Sequence, residues 1–182
     1  MQTEIIIAGF GGQGVLFGGQ LLTYAAMDEG KQVTWIPSYG PEMRGGTANC
    51  TVVISDEEIG SPMVSRPQAA IVMNLPSLDK YEPLVKPGGL LVINESMVDR
   101  EPKRKDIRVV KLKANEIAEK LGDRRMSNMV LLGALIANLP VLPRKAIENA
   151  LAGHLPERHK KLLPMNYEAL REGAKLEASQ VA

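Results

Sequence analysis

Apolar residues along the chain fall first into short β-branched runs and later into longer stretches with helical spacing. Glu4-Ile5-Ile6-Ile7-Ala8 is apolar throughout its middle and runs into glycines, which suits a strand covered on both faces of a parallel sheet. From Gly14 to Glu29 the pattern changes, with Val15, Leu22, Ala25 and Ala26 on one helical face and Gly30 as the stop. Val33–Ile36 reads as a second strand, and Ala48–Ser55 as a third beyond a loop rich in proline and glycine. Further strands are predicted at Ala70–Met73, Leu90–Asn94 and Val109–Leu112, the middle one entered through the turn Lys86-Pro87-Gly88-Gly89.

Beyond Ala114 the spacing becomes helical, with segments predicted at Glu116–Leu121, Asn128–Asn138 and Arg144–Leu151. Residues 155–164 are polar, basic and twice interrupted by proline, and read as a mobile connector. A last helix follows with Tyr167, Leu170 and Ala174 on one side, a face suited to packing on another subunit. Alternating strands and helices predict an α/β fold: an open, mostly parallel Rossmann-like sheet with helices on both faces and a helical C-terminal part. The length of 182 residues fits a single domain, 1–182, with no internal repeat.

Composition narrows the function classes. Lys and Arg number 22 against 21 for Asp and Glu, so no broad basic field calls for nucleic acid or an anionic membrane. The longest apolar run, Met129–Leu139, is about eleven residues against the roughly 18 to 20 that span a bilayer. The N-terminus shows no basic segment followed by an apolar one, which points to the cytoplasm. Cys50 is the single cysteine, so the chain can hold neither an internal disulfide nor a four-cysteine iron–sulfur cluster. It lies within a predicted strand and reads as a small buried side chain. His154 and His159 lack partners at metal-ligand spacing, so no metal site is predicted and both are read as solvated or subunit-facing. Met126, Met129 and Met165 fill core gaps, Asp56-Glu57-Glu58 is a turn, and the charge run Arg100–Lys105 is a solvated loop.

Two loops carry candidate chemistry. Gly9-Phe10-Gly11-Gly12-Gln13-Gly14 fits G-x-G-x-x-G between a strand and a helix, where close backbone approach and the first helical N–H groups suit a phosphate or carboxylate. A tight ligand-free crossover satisfies the same pattern. An NAD site also calls for an acidic residue at the end of the second strand, yet that strand runs out through Ile36, Pro37 and Ser38. The same absence argues against an S-adenosylmethionine enzyme. In the loop Ser38–Gly46, Arg44 offers a fork of donors for an anion, Glu42 can orient it, Gly45 and Gly46 can expose N–H groups, and Tyr39 can stack. In an open sheet the turns after the first two strands leave at the same edge and can face one crevice.

Taken together, Gly9–Val15 and Ser38–Asn49 resemble the gamma subunit of 2-oxoacid:ferredoxin oxidoreductases, and the resemblance continues through Ile59–Pro62, Lys86–Leu91 and Asn128–Ala134. The resemblance implies a share in oxidative decarboxylation of a 2-oxoacid to an acyl-coenzyme A with ferredoxin as acceptor, and 2-oxoglutarate is the oxoacid favoured among it, pyruvate and branched-chain oxoacids. It implies alpha, beta and delta partner subunits that hold thiamine diphosphate, magnesium and the iron–sulfur clusters, with coenzyme A as co-substrate. It also implies a cofactor-binding or subunit-cleft surface at Gly9, Gly11, Gly12, Gln13, Gly14, Tyr39, Glu42, Arg44, Gly45 and Gly46, with no catalytic residue in this chain. The isolated chain is expected to be inactive and able to self-associate through surfaces meant for its partners. A free-standing nucleotide-binding Rossmann enzyme and a purely architectural subunit stay open as alternatives.

Overall fold

The computed structural model describes residues 1–39, 47–177 and 179–180. Seven strands form one sheet in the order β2-β3-β1-β4-β5-β6-β7. The strands are β1 (Gln2–Phe10), β2 (Gln32–Tyr39), β3 (Thr47–Ser55), β4 (Ala69–Val72), β5 (Leu90–Asn94), β6 (Arg108–Leu112) and β7 (Ser179–Gln180). The central strands β1, β4, β5 and β6 are parallel, as the continuous apolar runs predict, with Ile5 opposite Ala69 and Ala69 opposite Leu90. β3 and β7 run antiparallel to their neighbours.

The helices are α1 (Val15–Asp28), α2 (Leu75–Tyr81), α3 (Ala114–Lys120), α4 (Ser127–Asn138), α5 (Arg144–His154) and α6 (Leu163–Ala174). Alternation along β1 divides the core between two faces. Ile5 and Ile7 pack with residues of α1, α4, α5 and α6, whereas Ile6 and Ala8 pack with Leu78 and Tyr81 of α2. Helices therefore cover both faces, one thickly and one thinly. Each fully buried Ile or Leu of this core contributes about 1.5–3 kcal/mol relative to exposure.

Several local expectations need correction. β2 extends three residues past Ile36, because its whole length pairs with β3 in a long hairpin from Gln32–Ser55 to Tyr39–Ala48. Residues 155–164 are ordered as helical turns: Glu157–Leu162 form a 3₁₀ helix, and Pro164 sits in the first turn of α6, where its missing N–H costs nothing. The apolar face of α6 is not free for another subunit, since Leu170 is fully buried against α4. That close approach depends on two glycines: a Cβ at Gly133 would overlap the Leu170 carbonyl, and one at Gly173 would overlap the Val130 carbonyl. The run Arg100–Lys105 is not a solvated loop either. Glu82, 2% exposed, accepts the backbone N–H of Arg104 at 2.8 Å and the guanidinium of Arg100 at 3.1 Å, clasping the segment to the end of α2. His154 stacks on Tyr24 with centroids 4.1 Å apart and lies 3.0 Å from Asp28, so it ties α5 to α1 and is not simply solvated. His159 takes a hydrogen bond from Arg158 at 3.1 Å.

Candidate functional site

β1 and β4 are parallel neighbours whose following helices lie on opposite faces of the sheet, α1 on one and α2 on the other. Such a switch point opens a crevice at the carboxyl ends of the strands, and the glycine loop occupies it. Gly9 lets the loop close: a Cβ there would stand 2.6 Å from the Gln13 side-chain oxygen and 3.0 Å from Met73 and Val15. Gly12 and Gly14 have φ of 93° and 77°, the left-handed region that favours glycine. Nothing lies within 4 Å of the place a Gly12 Cβ would take, whereas Gly14 backs onto Asn128.

Gln13 turns its side-chain oxygen into the chain. Its Oε1 accepts the Phe10 N–H at 2.6 Å and the Asn74 Nδ2–H at 3.4 Å, while its own N–H donates to the Phe10 carbonyl at 3.2 Å. Asn74 in turn accepts the Ser77 N–H and caps α2. Gln13 thus seals the turn and ties it to the β4–α2 junction. The Gly14 carbonyl receives Gly18 N–H at 3.0 Å and Asn128 Nδ2–H at 3.3 Å, which fixes α1 against the start of α4. No side chain caps α1, and no acidic residue lies in its first turn.

A second cluster lies at the carboxyl ends of β5 and β6. Asn94 donates to the Asn115 Oδ1 at 3.2 Å, the Asn115 N–H donates to the Ser96 hydroxyl at 3.1 Å, and that hydroxyl donates to Glu116. The Ser96 bond is the main cause that holds the Glu116 carboxyl below its usual range. Beside these lie Arg124 and Arg125, the latter clamped by Asp123, whose carboxyl is likewise lowered by the guanidinium. A cavity of about 300 Å³ runs between this cluster and Gly12. A second, of about 250 Å³, continues past Gly14 and Phe17 toward His159.

The register also accounts for the second loop's position. β2 is antiparallel to β3 and β3 to β1, so β1 and β2 point the same way. Gly9 pairs with Ala48, and Ala48 with Tyr39, which puts the backbone ends of both candidate loops at one sheet edge. Glu42, Arg44, Gly45 and Gly46 lie outside the described residues. Sequence reasoning passed over Asn74, Asn115, Arg124, Arg125 and Ser127. An asparagine at or just beyond the ends of β4, β5 and β6 is the signal that was available.

Cys50 is buried behind α1, its thiol 3.6 Å from the Val15 carbonyl. Burial pushes it up to about 11, and hydrogen-bonding groups including Trp35 offset only part of the effect. It is a packing residue. Among the described residues no group of three or more His, Cys, Asp or Glu side chains is placed to hold a metal ion, and no helix is long and apolar enough to cross a membrane.

Comparison with known proteins decides the family. The model of the pyruvate ferredoxin/flavodoxin oxidoreductase family matches residues 4–176. The chain belongs to that family. Within it, ketoisovalerate oxidoreductase subunit VorA of Methanothermobacter thermautotrophicus is 40% identical over 178 residues, covering 95% of this chain and 36% of that one. The chain thus spans about a third of the length of that relative. The 2-oxoglutarate synthase subunit KorC of Methanothermobacter marburgensis is 37% identical over 179 residues, covering 94% of this chain and 96% of that one. The crystal structure of the gamma subunit of a keto/oxoacid ferredoxin oxidoreductase from Geobacter sulfurreducens superimposes with a TM-score of 0.81 at 30% identity, covering 95% and 96% of the two chains. The fold expected from the oxidoreductase resemblance is therefore the fold observed.

Proposed function

We infer that this chain is the gamma subunit of a multi-subunit 2-oxoacid:ferredoxin oxidoreductase, a complex that oxidises a 2-oxoacid to an acyl-coenzyme A and carbon dioxide while reducing ferredoxin. The observation that carries the reading is the end-to-end match to a structure named as such a gamma subunit. The chain's own chemistry agrees with a supporting role. Its one thiol is buried and protonated at neutral pH, and thiamine diphosphate, magnesium and iron–sulfur clusters are assigned to partner subunits of alpha, beta and delta type. 2-Oxoglutarate is the favoured oxoacid, because a 2-oxoglutarate synthase subunit matches along almost its whole length. The complex works in the cytoplasm on this reading.

The surface proposed to meet the partners and the path of coenzyme A is formed by Gly9, Gly11, Gly12, Gln13 and Gly14 together with Tyr39, Glu42, Arg44, Gly45 and Gly46. Gly12, open and without a side chain, supports close approach of a ligand or partner backbone. Gln13 serves there by shaping the loop, since its carbonyl oxygen is engaged within the chain. The direct test is affinity purification of the tagged chain from its native source, followed by assay of coenzyme A-dependent reduction of ferredoxin with each oxoacid. Recovery of larger subunits with 2-oxoglutarate-dependent activity is expected. Purification as a lone protein with turnover of its own overturns the reading. In the complex, Arg44→Ala should raise the KM for coenzyme A or the oxoacid, and unchanged constants would make the loop purely architectural.

A further inference from the structure

We propose that the groove between α1 and α5 docks a segment of a partner subunit in which a large apolar side chain is flanked by carboxylates. The proposal rests on the gamma-subunit reading and names a surface that carries it. Helical spacing puts Phe17, Leu21 and Tyr24 on one stripe of α1, and Leu151, His154 and Leu155 face them from α5 and its end across a volume of about 380 Å³. The stripe is not fully covered, since Phe17 is 36% exposed and Leu155 is half-buried. Apolar surface left open inside a polar rim marks an interaction site. The groove also runs on through Phe17, Leu155 and His159 into the cavity past Gly12 and Gly14, so it is continuous with the surface assigned above to the partners.

One wall of the groove is fixed before anything enters it. Gln20 donates to the Tyr24 hydroxyl at 3.0 Å, the Tyr24 ring stacks on His154, and Asp28 lies 3.0 Å from the His154 Nε2. Such preorganisation spares a partner the cost of ordering the site. The rim sets the charge of the occupant. Among the described residues no Asp or Glu lines the groove, whereas Arg158 and His159 do. Both belong to the 3₁₀ helix Glu157–Leu162, none of whose residues is buried, so the row Arg158-His159-Lys160-Lys161 is presented on the surface. Lys160 pairs with Glu157, but Arg158 and Lys161 have no carboxylate partner among the described residues, and Arg158 turns its Nε to the His159 ring at 3.1 Å. Carboxylates on the occupant complete this rim and fix its register, while an apolar side chain between Phe17 and Leu155 supplies the buried anchor. A second copy of the chain fits less well, because a two-fold axis at the groove would bring each copy's Arg158 and Lys161 toward the same cations of its mate.

The test compares the tagged full chain with its Phe17→Asp and Arg158→Glu variants, each purified from the native source, and counts the larger subunits recovered with each. Both variants should keep the parent Tm, and each should lower recovery by about fivefold or more, the parent losing its partners as salt rises. A third chain carries p-benzoylphenylalanine in place of Phe17 and is photo-crosslinked within the complex. The crosslinked peptide, identified by mass spectrometry, should come from a partner subunit and hold an apolar residue beside Asp or Glu. A parent chain that recovers no larger subunit overturns the subunit reading and this proposal together. A parent that recovers them while both variants assemble equally well overturns the proposal alone. So does a crosslink to a second copy of the chain, to a partner segment without carboxylates, or to no other chain.

Discussion

Arg100 holds both terminal nitrogens of its guanidinium 3.1 Å from one carboxylate oxygen of Glu82, a side chain only 3% exposed. The second oxygen of Glu82 accepts the backbone N–H groups of Lys103 and Arg104. One buried carboxylate therefore orders the helix-free crossover from β5 to β6. Removing it leaves a partly buried cation and two backbone donors without their acceptor, so Glu82→Ala should lower stability by about 3 kcal/mol in urea denaturation. Asp79, more than half exposed, also contacts Arg100, and Asp79→Asn should cost less than about 1 kcal/mol.

The Cys50 thiol gives a pH dependence. Its folded value near 11 lies above the unfolded value of 9.0, so the folded state keeps the proton longer. The linked stability is complete below pH 9 and is lost as pH rises toward 11, by about 2–3 kcal/mol. Denaturant titrations across that window should show the loss, and Cys50→Ala should reduce its slope. At pH 8 a thiol reagent should label the unfolded chain and leave the folded one unmodified.

The α4–α6 contact is the most exacting packing in the C-terminal half. Gly133 and Gly173 each face a carbonyl of the opposite helix with no room for a methyl group. Gly133→Ala should force the helices apart and cost about 2–3 kcal/mol, with loss of near-ultraviolet dichroism before far-ultraviolet signal. Gly153, with open space around it, is the control, and Gly153→Ala should leave stability unchanged or slightly raised.

Most strands and long helices were legible because their apolar residues either run without a break or recur at helical spacing: Leu90–Asn94 is buried at every position and spans a strand of the same bounds. α2 escaped because seven residues with Leu75, Leu78 and Tyr81 as their apolar positions are too few to show a helical period. The direction of β3 could not be read either, since a nine-residue strand buried at alternating and then successive positions fits either pairing. Charge runs misled for a physical reason. Arg100 and Arg104 look solvated in sequence, and only tertiary contact reveals the buried Glu82 that gathers them. The glycine loop was located correctly at the sheet edge, but the side chains around it, Asn74 and Ser127 among them, come from segments 60 or more residues away, and nothing in the loop's own sequence points to them.

Gly12 and Gly14 separate conformational demand from steric demand within one loop. Both have positive φ, so alanine at either position carries a backbone cost of about 1–2 kcal/mol. At Gly12 the added methyl meets open space and that cost stands alone. At Gly14 it falls 2.8 Å from the Asn128 Cγ and must displace a side chain that donates to the Gly14 carbonyl, so Gly14→Ala should cost at least about 1 kcal/mol more than Gly12→Ala in urea denaturation. Truncating the obstacle tests the cause. In an Asn128→Ala background the Gly14→Ala penalty should fall to that of Gly12→Ala, and a penalty that persists unchanged would place the strain in the backbone and not in the α1–α4 contact.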